Sequence, residues 1–199
     1  MTTSFVTYLR AQAVNNAWAN HRLLGAVAQL SQEDFLATRT SFFPSLHATL
    51  NHNLTVDWYY VDALERGLAG QPPNANYPAF FHPEHPMGTA AALWAAQREV
   101  DQRLVRLCDG LTEADLARDI GVPRRSGVIP EPLPRLLGHL FEHQIHHRGQ
   151  AHAMLAGTGV APPQLDEFYC TGDAPLRAAE LDALGYPEDR IWDGRPLTG

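Results

Sequence analysis

The sequence contains no lysine. All 15 of its cationic residues are arginine, set against 22 acidic ones, for a net charge of −7. No basic stripe occurs; the only adjacent arginines, Arg124-Arg125, fall in a stretch with turn character. An acidic chain without a cationic face lacks the phosphate contacts that dominate nucleic-acid affinity, so nucleic acid is excluded as a partner. Cysteine is nearly absent as well. Cys108 and Cys170 do not make a disulfide framework, and a reducing cytoplasm is the expected compartment. No apolar run approaches the ~18 residues of a membrane span, so no membrane partner is expected. The opening MTTSFVTYLR lacks the basic-then-apolar order of a secretion signal. Internal repeats and low-complexity tracts are missing too.

What is present is a chain of 199 residues, 45% apolar, enough for one domain with a core and a tail. Four long segments carry helical periodicity. The first runs from Ser4 to about Gln29, with Phe5, Leu9, Val14, Trp18 and Leu23 at three-to-five spacing. Ser31 opens a short turn at "SQEDF". The second long helix spans Ser45 to Ala69 and stops at Gly70. The third starts at Thr89, a good N-cap, and reaches Cys108 before Asp109-Gly110. The fourth begins at Pro132 or Pro134 and ends before Gly157. A proline-rich loop holding "HPEHP" fills 71–88. A loose hairpin is expected around "RRSG", and a short helix from Pro175 to Leu184 closes at Gly185. The expected fold is all-α: a four-helix bundle with long loops, a small hairpin-like insertion and a C-terminal extension. The loop after the second helix and the hairpin region are both long enough to be crossovers.

Five of the ten histidines crowd into the fourth helix, at 139, 143, 146, 147 and 152. Imidazole is a costly core group, because each buried ring nitrogen needs a partner. At ~100° per residue, His143 and His147 fall within or beside the apolar arc of Leu133, Leu136, Leu137, Leu140, Met154 and Leu155. A lone inward histidine is more often satisfied by a carbonyl or water. An i, i+4 pair on one face can instead chelate a divalent ion. His139 and His146 lie toward the boundary of the arc. His146 reads as a hydrogen-bonding group facing a ligand or substrate. His152 points away, near Arg148, as a solvated or interface residue.

A site needs a third ligand from another helix. The second helix offers His47 and His52, and periodicity does not choose between them. No H-E-x-x-H and no E-x-x-H occurs, which removes the zincin and di-iron bundle patterns. Glu142 has chelate spacing to His146 but points away from the arc. His82 and His85 read as solvated loop residues.

"TLNHNLTVDWYYVDAL" followed by "LLGHLFEHQIHHRGQAHAML" resembles the DinB-like, or YfiT-like, metalloprotein superfamily, damage-inducible proteins distinct from the polymerase of that name. "PPQLDEFYC" resembles the segment after that family's last helix. The resemblance covers residues 1–170 and leaves 171–199 as an extension with a short helix. It implies a divalent metal held at one end of the bundle by His52, His143 and His147, zinc or nickel for an all-imidazole set. It also implies a metal-dependent enzyme that activates a low-molecular-weight thiol or water against a small electrophilic substrate, as a transferase, isomerase or hydrolase. The alternative is a non-catalytic metal-binding stress-response protein. Arg148 then stands as a group that supports the site or binds an anion, or as one half of a surface ion pair. His139 and His146 are further candidates for facing the substrate. A homodimer follows mainly from the family, with Trp18, Trp58, Trp94, Trp192 and Tyr59-Tyr60 as aromatics in excess of what one thin bundle hides. Imidazoles titrating near ~6.5 would make metal binding weaken as pH falls from about 8 to about 5.

Overall fold

The structure is a computed structural model that describes residues 4–192. Four serines and threonines set the helix starts. Ser4 accepts the Thr7 N–H at the head of α1 (Phe5–Val27), and Ser31 accepts that of Asp34 at α2 (Gln32–Leu36). Ser45 caps α3 (Leu46–Leu68) through Ala48, and Thr89 caps α4 (Ala90–Asp109) through Ala92. Each such cap satisfies an otherwise orphaned amide and stabilises its helix by ~1 kcal/mol. The fourth long helix, α5 (Leu133–Leu155), starts without a side-chain cap but with Pro134 in its first turn.

α1 and α3 each pack on both α4 and α5, so the pairs α1/α3 and α4/α5 lie on the two diagonals of the bundle. The α2 link and the hairpin link therefore cross diagonals. The 71–88 loop, long enough for a crossover, instead joins neighbours α3 and α4. Its 3₁₀ turn at Tyr77–Phe81 docks on α3 instead, with the Tyr77 and Phe81 rings 5.9 and 5.3 Å from Tyr59.

The hairpin forms as expected. β1 (Asp119–Arg124) pairs antiparallel with β2 (Gly127–Pro132), Arg124 opposite Gly127. β1 buries Ile120 and Val122 against α3, while β2 stays largely exposed. Contact is close because Gly67 has no side chain: a Cβ there would lie 2.7 Å from Ile120 Cδ1. The Tyr59 hydroxyl donates to Pro123 O at 2.5 Å and fixes the strand along the helix.

The tail packs back on α1 through α6 (Ala174–Leu184) and α7 (Glu188–Ile191). Trp18 Nε1 and Arg22 Nε both donate to Glu180, and Leu181 and Ile191 enter the core. Residues 193–199, part of the expected extension, lie outside the described residues. Among the described residues no helix is long and apolar enough to cross a membrane.

The apolar interior is in two parts. One holds Val14, Trp18, Leu54, Leu64, Leu104, Leu137 and Leu140; the other, toward α2, holds Leu23, Val27, Leu46, Leu50, Leu93 and Leu155. Between them every long helix contributes polar residues one turn apart: Asn16 and Asn20, Asn53 and Asp57, Gln97 and Asp101, Gln144 and Arg148. All are 5% exposed or less.

Two adjacent positions on α5 separate packing from propensity. Leu137 is fully buried, whereas a Cβ added at Gly138 meets nothing within 4 Å. Leu137→Ala should cost about 2–5 kcal/mol through lost burial and a residual cavity. Gly138→Ala should gain about 0.5–1 kcal/mol, because glycine is a poor interior helix residue. Urea denaturation of the two variants reads both signs.

Candidate metal centre

α3 supplies His52 and α5 supplies His143 and His147, all at the level of the polar layer. One ligand nitrogen from each lies within 4.8 Å of the others. His52 Nε2 and His143 Nε2 are 3.0 Å apart, and the His143 and His147 rings, one turn apart, have centroids 4.5 Å apart. Burial, reinforced by the neighbouring imidazole of His147, holds His52 down to about 4 and His143 to about 3. His147 is lowered too, chiefly by burial. At neutral pH the cluster therefore presents three uncharged rings with lone pairs.

The orientation of His147 is fixed from behind. Its Nδ1–H donates to Gln150 Oε1 at 2.8 Å, which leaves the lone pair on Nε2. The Gln150 amide in turn donates to His146 Nε2 at 3.1 Å. His143 Nδ1, by contrast, is buried without a partner, so that ring has no such tether. Three neutral nitrogen donors on two rigid helices could hold a metal ion.

Phe43 lies across this cluster, its ring 4.4 Å from His52 and 5.4 Å from His147. Beside His52 opens a cavity of about 290 Å³, walled by Phe43 and Thr55 on one side and by Phe81, His82, Glu84 and His85 on the other.

The other candidate histidines fall elsewhere. His47 points out of the cluster, with Nε2 donating to Met87 O at 3.1 Å. Asn51 grips the same residue twice, donating to Met87 O and accepting from its N–H. His47 and Asn51 thus pin the 71–88 loop to α3. His139 is exposed, edge-on to Tyr60 and with its ring 6.3 Å from His143. His146 is exposed; its ring lies edge-on to His147 with centroids 4.8 Å apart, and its Nε2 accepts from Gln150. His152 is half-buried, and its Nε2 donates to Pro163 O at 2.9 Å and ties down the segment after α5.

Arg148 requires a correction. It is neither a surface ion-pair partner nor an anion-binding group beside the imidazoles, but a fully desolvated member of the polar layer. Its Nη1 donates to Asn16 Oδ1 and Asn20 Oδ1 at 2.6 and 3.0 Å. Both asparagines pass donors on to Asp101, and Gln97 bridges Asp101 to Asp57. Burial lowers Arg148 to about 10. It raises Asp101 to about 8, with Asp57 adding to the effect, and Asp57 to about 6. The periodicity of α5 placed Arg148 on the far side from the metal face, and that face proves to be the bundle interior. The signal available in sequence was the run of polar residues spaced by four on all four helices.

A helical bundle carrying a three-imidazole cluster between two of its helices defines a class of candidate metalloprotein. Within that class, the family model for the DinB family matches residues 4–175, and the chain belongs to that family. No curated protein matches the sequence significantly.

Three outcomes test this centre. His147→Ala should abolish stoichiometric zinc or nickel while circular dichroism keeps its helical signal. Gln150→Ala should retain the metal stoichiometry but weaken affinity about 10–100-fold, the usual effect of losing the partner of a ligating histidine. Metal affinity should begin to fall at a lower pH than for unperturbed imidazoles, because burial holds all three rings below their usual range. This lowers the window expected from unperturbed imidazoles.

The metal-free fold should have opposed pH limbs. The three histidines titrate near ~6.5 when unfolded, so their contribution is complete above that; it is lost as pH falls, through about 4 for His52 and about 3 for His143, with His147 also lowered by burial. Asp57 and Asp101 act in reverse: their contribution is complete below ~4 and is lost as pH rises through about 6 and about 8. Stability of the chelated protein should peak near pH ~6.5. Asp101→Asn should flatten the alkaline limb in thermal melts while leaving the acid limb in place.

Proposed function

We propose that the chain is a divalent-metal-dependent enzyme that activates a low-molecular-weight thiol or water for attack on an electrophilic small molecule. The observation that carries this reading is the position of the imidazole cluster. His52 lines a cavity, with Phe43 and Phe81 walling the approach, so a ligand can reach the residues that would hold the ion. An ion held by neutral imidazoles keeps its double charge and acidifies a thiol or water that reaches it. Zinc or nickel suits the all-nitrogen donor set.

The chain's own groups divide the remaining work. His52, His143 and His147 would hold the ion; Gln150 fixes the tautomer of His147. Phe43 shields the cluster from bulk water on one side, which strengthens every charge interaction inside. Thr55 Oγ1 is turned back onto His52 O at 3.1 Å and so is not free to act as a nucleophile.

The rival reading, a non-catalytic metal-binding stress-response protein, makes the ion structural. Two extensive apolar clusters that do not include the three histidines favour a fold that stands without metal. We also propose a homodimer in the cytoplasm. The dimer now rests on the family alone. Trp18, Tyr59 and Tyr60 are buried in the chain, and Trp58, Trp94 and Trp192 are half-buried, so these six give no argument for a partner.

The test is chelation followed by reloading. The chelated protein should stay folded at room temperature and regain metal-dependent thiol transfer or hydrolysis when zinc, nickel or cobalt is restored. His52→Ala should regain none. Unfolding on chelation would favour the structural reading. Equal activity with and without metal would contradict the proposal.

A further inference from the structure

The "HPEHP" stretch at 82–86 takes no part in the imidazole cluster, yet it forms the wall of the cavity facing it. We propose that this cavity selects a small ligand carrying a primary ammonium group on a short apolar body, with Glu84 as its counter-charge. The proposal rests on the thiol-or-water reading above in placing the reacting end of that ligand at the imidazoles.

Among the described residues, Glu84 is the only acid lining the cavity, and no arginine lines it. It is also the only charged residue in the whole of 71–88. Apart from an ion on the imidazoles, which lies at the reacting end, an anionic ligand would meet this carboxylate with no arginine beside it among the described lining residues. A cation meets the carboxylate together with the rings of Phe43 and Phe81, whose faces attract positive charge. The volume of about 290 Å³ is at the small end for ligand sites, which suits one ring or a short chain.

The wall is built in advance of any ligand. Before it, Phe81 is packed on Tyr59; after it, Met87 is held on both backbone groups by Asn51 and again by His47. Glu84 is suspended between these two anchors. Its carboxylate is exposed, so the ammonium pair is screened and the aromatic walls must share the selectivity.

The experiment is calorimetry on the zinc-loaded protein near neutral pH, with 2-phenylethylammonium and 2-phenylethanol as probes. The ammonium should bind about tenfold more tightly than the alcohol. Glu84→Gln should shrink that preference and leave the alcohol unchanged, and Phe81→Ala should weaken both probes, the ammonium more than the alcohol. Equal affinity for the two probes, a preference undiminished in Glu84→Gln, or no detectable ammonium binding overturns the proposal. A second arm separates the underlying reading. Cysteamine and 2-mercaptoethanol are added to the cobalt-substituted protein and its visible spectrum is followed. If neither thiol perturbs the spectrum, thiol activation fails by itself, while the calorimetric preference still decides the role of Glu84.

Discussion

His52 Nε2 and His143 Nε2 approach to 3.0 Å across the α3–α5 contact, and much of the structure follows from that register. Two imidazole nitrogens sit this close only with a hydrogen or a cation between them, since two lone pairs repel. The next residue on each helix turns inward, and there Asn53 Nδ2 donates to Gln144 Oε1 at 3.1 Å. One register thus serves both the candidate metal centre and the buried amides behind it. A slip of one helical residue would separate the rings and leave the amides unpaired in the interior, where each unpaired group costs about 1–3 kcal/mol.

The polar layer explains how that register is held. Apolar cores tolerate sliding; hydrogen-bonded layers do not. Asn16, Asn20, Asp101, Gln97 and Arg148 form one connected set spanning α1, α4 and α5, and Gln97 extends it to Asp57 on α3. Net stabilisation from such a buried charged set is small, because desolvation offsets most of the attraction. Its physical use is to fix which residues face each other. The loops then finish the site from outside: Phe43 covers the rings, and the 71–88 loop, pinned by Asn51 and His47, walls the cavity.

The bundle was legible because its four helices carry caps, stops and periodic apolar faces that agree with one another. The hairpin was legible from its turn residues. The topology was not legible, since the length of 71–88 says how far a chain can reach and not where it goes. The inward pair His143/His147 could be read from helical angle alone. His52 could not, because His47 and His52 are both tolerable on a helix that packs on several faces; the resemblance chose between them. Arg148 was not legible, because a charged residue opposite one buried face fits a supporting role and a surface ion pair equally well, whereas α5 buries a second face against α1. The approach of "HPEHP" to the cluster depends on the Asn51–Met87 pair, a contact between residues that no local pattern links.

The central claim is that His52, His143 and His147 together hold one divalent ion. X-ray absorption on the zinc-loaded protein tests it most directly. The account predicts three imidazole nitrogens at ~2.0–2.1 Å with outer-ring scattering in the wild type, and two in His52→Ala. A first shell of sulfur or carboxylate oxygen, or an imidazole count unchanged by losing His52, would contradict it.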